Sequence, residues 1–281
     1  MIARARGAAL VAAMLVAAIA AAVVATLAST QAQWLRNVEL RRDSVQSQAL
    51  VLAGLAWTRQ VIAIDARQNA IDHLGEPWAM PLPATPLENG SIEGNIVDVQ
   101  GRLNLNNLAS DGVVGRGERA RLARVFARAA IPVSAIDALQ KFIAGDGAPL
   151  VRSAEATLVR GIDEARFANV AEFVTALPTS TPLNVNTAAA EVLASAVNGL
   201  EGDALAALLA DRARRPFASV AEFRSRLPAG ASIDNDATIS VKSDYFLVTV
   251  VARQRETIAH GRALLRRGND GVPSVVWQTI E

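Results

Sequence analysis

One stretch near the amino terminus limits the folds open to this chain. From Ala8 to Leu35 no residue is charged, a run of 28, and it is apolar almost throughout as far as Ala28. About 20 such residues cross a hydrocarbon core of roughly 30 Å. Helical spacing continues beyond the run: Val45, Ala49, Leu52 and Ala56 recur at 4-3-4, with Arg41, Arg42, Gln46 and Arg59 elsewhere on the wheel. No proline interrupts residues 1–76. The sequence therefore predicts one helix over about 8–65, on the order of 85 Å long at 1.5 Å per residue. Its first half lies in lipid, and its second half lays an apolar stripe on a soluble domain.

The short basic segment Met1-Ile-Ala-Arg-Ala-Arg-Gly7 precedes the run. A secretory signal is cut after its apolar core at a small-x-small site, and the many Ala residues here would offer one. The basic segment ending in Gly7 fits better with a cut before the core, which leaves the helix on the mature protein. Arg4, Arg6 and the amino terminus place that end in the cytoplasm. Arg36, Arg41 and Arg42 reduce the asymmetry, with Glu39 and Asp43 among them.

Composition then narrows function. At 281 residues the chain makes one large or two ordinary domains at roughly 150 residues each. Hydrophobic residues at 51% and charged residues at 20% mean a packed core. Twenty-eight basic and 27 acidic residues leave +1, so no global field favours nucleic acid. The absence of Cys excludes disulfides, zinc-thiolate sites and thiol catalysis. His73 and His260 alone make a poor basis for a His-centred site. Composition points away from an enzyme.

Beyond Glu76, four prolines in ten residues (Pro77, Pro81, Pro83 and Pro86) predict an extended linker. Residues 91–100 read as one or two short strands, followed by a polar-capped turn at Gly101–Leu108. Gly112, Gly115 and Gly117 lack the GK[ST] ending of a phosphate loop and read as a plain loop. Residues 118–129 place Leu122, Val125, Phe126 and Ala129 on one face, leaving Arg119, Arg121, Arg124 and Arg128 for a solvated one. Phe167–Pro178 recurs as Phe217–Pro228 with eight of twelve positions identical. Each copy predicts a short helix started by Asn169 or Ser219. The β-branched and aromatic Ser243–Ala252, then Thr257–Arg266, the turn Gly268–Gly271 and Val275–Thr279 predict an antiparallel meander.

Pro182–Leu193 predicts a helix capped by Asn186 or Thr187. The hairpin Asn198-Gly-Leu-Glu-Gly202 leads to a second helix over Asp203–Arg212. This resembles a helix-hairpin-helix unit. In DNA-binding members the hairpin amides face a phosphate, whereas Glu201 and Asp203 here would repel one. The unit is read as a packing module. A membrane-anchored helix-hairpin-helix protein for DNA uptake is the alternative reading.

Several blocks together resemble the K-class minor pseudopilins of bacterial type II secretion. They are the leader ending Arg6-Gly7, the long helix, Glu76-Pro77-Trp78, Asp98-Val-Gln-Gly-Arg-Leu-Asn-Leu-Asn-Asn-Leu108, Leu183-Asn-Val-Asn-Thr-Ala188, Pro216-Phe217 and Ser243-Asp-Tyr-Phe246. The resemblance implies an α+β, pilin-like fold, in which a long helix packs on an antiparallel sheet carrying a large inserted all-α domain. The expected parts are leader 1–7, membrane helix 8–35, pilin-like residues 36–103, inserted domain 104–232 and C-terminal strands 233–281. It further implies cleavage by prepilin peptidase between Gly7 and Ala8, with methylation of the new amine. The implied place is the tip of the pseudopilus, in the inner membrane with the C-terminal domain in the periplasm. The implied partners are the I and J minor pseudopilins, other pseudopilins and the inner-membrane assembly platform. Counting from Ala8, the fifth residue is Ala12, where pilin-type subunits ordinarily carry Glu. Some relatives bind calcium, which makes Asp234, Asn235, Asp236 and Asp244 candidate ligands. Lys141–Gly147 is poor in acids for a carboxylate-rich metal role.

Overall fold

The computed structural model describes residues 2–110, 112–145, 148–268 and 272–281, with side chains from Leu10 onward except Val113. Helix α1 runs without interruption from Ile2 to Gln68, as expected of a proline-free stretch rich in Ala and Leu. From Leu10 to Arg42 every side is exposed, and this apolar part is long enough to cross a membrane.

The buried side of the second half differs from the predicted stripe. Ser47, Val51, Leu55, Thr58 and Ile62 face inward, while Val45 and Leu52 remain 67% and 47% exposed. Ser47 and Thr58 can be buried because each hydroxyl donates to its own helix, to the carbonyls of Ser44 (2.9 Å) and Leu55 (2.8 Å). Hydropathy alone ranks such positions as outward. α1 thus carries two apolar sides, and the sheet covers one.

That sheet has five antiparallel strands in the order β1-β2-β7-β8-β9. They are β1 (Leu82–Leu87), β2 (Gly90–Asp98), β7 (Tyr245–Gln254), β8 (Thr257–Arg266) and β9 (Ser274–Ile280). The predicted linker is instead a single 3-10 turn at Pro77–Ala79 followed by edge strand β1, where Pro83 and Pro86 are tolerated because an edge need not donate outward. Ile96, Phe246, Val248, Val250, Ala252, Ala259, Ala263 and Leu265 pack on Val51, Leu55, Ile62 and Trp78. Arg255 turns the β7–β8 hairpin at φ 50°. Asn269–Gly271 of the predicted β8–β9 turn lie outside the described residues.

Between β2 and β7 lies the helical insert. One cluster runs from Leu103 to Ile239, wider than the expected 104–232. Ile233 and Ile239 belong to it, and β6 (Ile239–Ser240) pairs in parallel with β5 (Leu183–Asn184). A second parallel pair joins β3 (Leu103–Asn104) to β4 (Val174–Thr175).

The glycine cluster read as a loop instead opens helix α2 (Gly112–Arg128). A Cβ on Gly115 would stand 2.1 Å from the Ser110 carbonyl oxygen, so only Gly permits this start. Of the α2 arginines, Arg124 and Arg128 are exposed as the spacing predicts, Arg119 is half-buried and Arg121 is buried, and Arg128 lies 4.0 Å from Glu191. Arg119 pairs with Asp137 on α3 (Val133–Ala144) at 2.5 Å. Arg121 is buried and donates to Thr238, while Arg124 reaches the Ser195 carbonyl and Asn198. The row holds the insert's elements together.

The repeat folds in two different ways. Phe217–Pro228 gives helix α7 (Val220–Ser225), with the Ser219 hydroxyl accepting from Glu222 N. In Phe167–Pro178, Asn169 ends helix α4 (Glu164–Ala168), a 3-10 turn follows at Ala171–Phe173, and the chain enters β4. The shared Phe–Val–Phe pattern supplies apolar anchors to one core in both, but β4's pairing with β3 decides the backbone of the first.

Candidate functional site: the domain junction and the assembly face

A densely connected polar group lies where the chain passes between sheet and insert. Asp98, at the end of β2, is buried and accepts four hydrogen bonds. Its Oδ1 takes Gln100 N at 2.8 Å. Its Oδ2 takes Asn184 Nδ2 (2.9 Å), Thr187 Oγ1 (2.6 Å) and Ser243 Oγ (2.6 Å). Burial pushes the Asp98 carboxyl above the ordinary range, while the donors from Ser243, Thr187 and Gln100 pull it back. Gln100 extends the junction, donating to the Pro182 carbonyl (3.2 Å) and accepting from Asp244 N (2.6 Å) and Tyr245 N (3.2 Å). The exit from β2, the middle of the insert and the entry to β7 therefore meet on one carboxylate.

Beside it, Arg267 lies between Asp65 of α1 and Asp72. Its Nη2 is 3.0 Å from Asp65 Oδ2 and 2.8 Å from Asp72 Oδ1. Asp65, Asp72 and Glu76 bring oxygens within 4.8 Å of one another, a spacing that could hold a cation. The Arg267 guanidinium already supplies positive charge to two of the three. Glu76 Oε2 accepts from His73 N (2.8 Å) and Trp78 Nε1 (2.9 Å), which seats Trp78 edge-on against Phe246. Burial raises the Glu76 carboxyl to about 7 and also raises Asp72, despite Arg267.

The asparagines within the insert are clips on loop backbone. Asn106 donates to the carbonyls of Leu150 and Leu177 (2.9 Å each) and accepts from Leu150 N (2.9 Å). Asn107 pairs with Thr181, Asn186 with Phe217, and Asn104 with Leu177 and Thr179. A buried amide that pairs both its donor and its acceptor replaces the partners that loop backbone lacks.

Glu118 on α2 is also buried, 3.6 Å from Arg121 Nη1, with Oε1 unpartnered among the described residues. Burial raises its carboxyl from 4.5 to about 7. Between those values the folded chain retains a proton that the unfolded chain has released, so the associated stability is complete below the lower value and lost as pH rises through the upper. Thermal unfolding should therefore shift to higher temperature as pH falls from 8 towards 5.5. Glu118→Gln should raise the midpoint at pH 8 and flatten, without abolishing, the slope, because Glu76, Asp72 and Asp98 act in the same sense. A lower midpoint at pH 8 with an unaltered slope would contradict this.

The residues expected from sequence to be functional do not converge on one place. Gly7 and Ala8 lie on the α1 backbone, and their side chains are outside the described set. Ala12 is exposed on α1. Asp234, Asn235, Asp236 and Asp244 are engaged separately. Asp234 accepts from Asn198 (2.8 Å), Asn235 caps Ala237 N (2.9 Å), and Asp236 pairs with Arg224 (2.5 Å). The Asp244 carboxylate is exposed, while its backbone bonds Gln100 and Arg267. Each of these side chains thus has its own surroundings within one stretch of chain. Asp146 and Gly147 of the acid-poor segment lie outside the described residues.

In the helix-hairpin-helix unit, α5 (Ala190–Ala196) starts after Ala189, and α6 spans Gly202–Arg214. Asn186 and Thr187 do not cap α5, because Asn186 clips Phe217 and Thr187 serves Asp98. Glu201 and Asp203 are exposed at the hairpin. Arg212 donates inward to the carbonyls of Val185 (2.9 Å) and Ala188 (2.7 Å).

A half-exposed helix laid on an antiparallel sheet, with a helical domain tied in through one buried junction, defines a pilin-like fold with an apolar amino-terminal helix long enough to cross a membrane. Known proteins share it. The family model for type II secretion system protein K matches residues 183–242. Type II secretion system protein K of Pseudomonas aeruginosa is 28% identical over 258 residues, covering 78% of this chain and 76% of that protein. Its counterpart in Aeromonas hydrophila is 24% identical over 260 residues, covering 76% and 78%. In the crystal structure of a GspK-GspI-GspJ complex from enterotoxigenic Escherichia coli, a chain superposes with a TM-score of 0.74 at 20% identity, covering 87% of this chain and 99% of that one. Over about three quarters of its length the chain is thus similar to type II secretion system protein K, and its fold matches that of a chain in the GspK-GspI-GspJ complex.

Proposed function

We propose that this protein is the tip subunit of the type II pseudopilus, nucleating its assembly and supporting protein secretion across the outer membrane. The observation that carries the reading is the exposed apolar side of α1. Val45, Ala49, Leu52 and Ala56 continue the membrane-crossing segment into water with no sheet over them, and such a stripe calls for neighbouring helices. The GspK-GspI-GspJ complex of the E. coli relative makes the I and J minor pseudopilins the partners of choice here. Other pseudopilins and the inner-membrane assembly platform follow from the same role. The subunit sits in the inner membrane with its sheet and insert in the periplasm.

Ala12 supports the tip position. Prepilin peptidase cutting between Gly7 and Ala8 makes Ala12 the fifth residue of a methylated mature chain. A carboxylate at that depth is tolerable only when paired with the amine of a subunit above, and unpaired it costs several kcal/mol. A subunit with nothing above it has no use for one, and the bulky insert would obstruct stacking. Mass spectrometry of membrane-extracted protein should find Ala8 as the first residue. Expression of this chain alone should yield no filaments, and Ala12→Glu should bring little gain in assembly. An intact Met1, or long homopolymeric fibres of the wild-type chain, would overturn the reading.

A further inference from the structure

The sheet face turned away from α1 meets the insert across a cleft of about 250 Å³. Its charged lining is unbalanced. Arg102, Arg152 and Arg262 all line it, with His260 beside them, and Glu281 is its only acid among the described residues. None of the three arginines has a carboxylate within 4.0 Å among the described residues, although most other arginines of the insert are paired or bonded to backbone. Glu172 and Asp98 act on Arg102 only at longer range, and Arg262 opposes it. The Arg152 guanidinium lies over the Trp277 ring, 5.4 Å from its centroid, a cation–π contact that positions it at the cleft. In a chain of net charge +1, three cations against one lining acid give this cleft a locally positive field.

The cleft borders the open edge of the sheet. Trp277 and Thr279 belong to β9, which has a neighbour on one side only. The two sheet edges are unlike. β1 carries Pro83 and Pro86, which remove ladder donors, whereas Ser274–Ile280 contains neither proline nor charge. An edge of that kind offers a row of N–H and C=O groups that an extended polypeptide can pair in register.

We propose that the β9 edge and the arginine cleft together dock an extended acidic segment of a partner protein. Its backbone extends the sheet beyond β9. Every second side chain then falls on the face of Trp277 and Thr279, where carboxylates approach Arg152 over Trp277 and Arg262 opposite Thr279 on β8, while Arg102, farther in, adds to the field. A free phosphate or a nucleic acid would use the arginines and leave the strand edge unpaired. This proposal goes beyond the tip reading and does not depend on it.

The test uses the full chain in detergent micelles and a fluorescein-labelled peptide, Thr-Glu-Val-Glu-Val-Glu-Thr, followed by fluorescence anisotropy. Binding in the micromolar range is expected, weakening with added salt. The double variant Arg152→Gln with Arg262→Gln, at two exposed positions, should weaken it at least tenfold while the unfolding midpoint stays put. The matching Gln peptide should bind at least tenfold more weakly than the Glu peptide. Inorganic phosphate should fail to compete at equal charge concentration, and a short single-stranded oligonucleotide should bind less tightly than the peptide. The proposal fails if the Glu peptide does not bind, if the Gln peptide binds equally, if the double variant is unaffected, or if phosphate or the oligonucleotide is the better ligand. These outcomes are read without any fibre, so they are distinct from failure of the tip reading.

Discussion

Asp98→Ala should loosen the insert from the sheet and lower the unfolding midpoint on the order of 10 °C. The substitution leaves Asn184, Thr187 and Ser243, all aimed at one point, without their acceptor. A buried polar group deprived of its partner costs about 1–3 kcal/mol. Even partial relaxation of the three leaves a loss of about 4 kcal/mol, and for chains of this size each kcal/mol moves the midpoint by about 2–4 °C. Circular dichroism gives the midpoint. Limited proteolysis gives the place, with new cuts expected at the two crossings, residues 99–102 and 241–244. Asp98→Asn keeps the shape and one acceptor oxygen, so its loss should be smaller. An Asp98→Ala protein within about 1 kcal/mol of wild type, with no new cut sites, would show that the crossings hold without this carboxylate.

Gly261 should be nearly as intolerant of change. It stands on β8 where α1 crosses the sheet, and a Cβ there would lie 2.2 Å from Val51 Cγ1. Val51 is fully buried. Overpacking of this kind costs about 1–3 kcal/mol for Ala and more for Val. Removing the obstruction on the other side should compensate, so Val51→Ala, itself costing about 2 kcal/mol as a truncation, should lose little further stability when combined with Gly261→Ala. The double variant is therefore expected to be more stable than the sum of the single losses by at least about 1 kcal/mol. Additive losses would mean that the helix and sheet separate slightly at no cost, and that the close approach is not demanded by packing.

These two positions show unequal legibility in the sequence. The uncharged run from Ala8 and the absence of proline to Glu76 were sufficient for α1, because a helix of that length is fixed by local propensity and by lipid. The side it buries was not legible. The apolar stripe through Val45 and Leu52 is real, but the sheet took the side with Ser47 and Thr58, whose hydroxyls return to their own helix. Hydropathy cannot distinguish an exposed polar side chain from one satisfied within its own turn.

The polar blocks Leu103–Leu108 and Leu183–Thr187 could be recognised as a resemblance, and alternation of Leu with Asn is itself a sign of buried amides. Their partners could not be read. Asn106 bonds Leu150 and Leu177, 44 and 71 residues away, and no local pattern records such a pairing. The partners of the α2 arginines were illegible for the same reason, although Arg124 and Arg128 are exposed as expected. Their spacing off the apolar face suggested solvent, and the carbonyls and carboxylates of Ser195, Thr238 and Asp137 that receive them come from distant segments.

By itself the sequence determined those features whose cause is local: the apolar run of membrane length, the long helix, the β7–β8–β9 meander and the acidic hairpin of the helix-hairpin-helix unit. Tertiary structure alone decided which side of α1 is covered, that one repeat copy breaks into a 3-10 turn and the short strand β4, and that Asp98, Asn184, Thr187 and Ser243 meet. Each of those outcomes follows from satisfying a buried polar group or filling a core with atoms far away in the chain, and such partners exist only once the chain has folded.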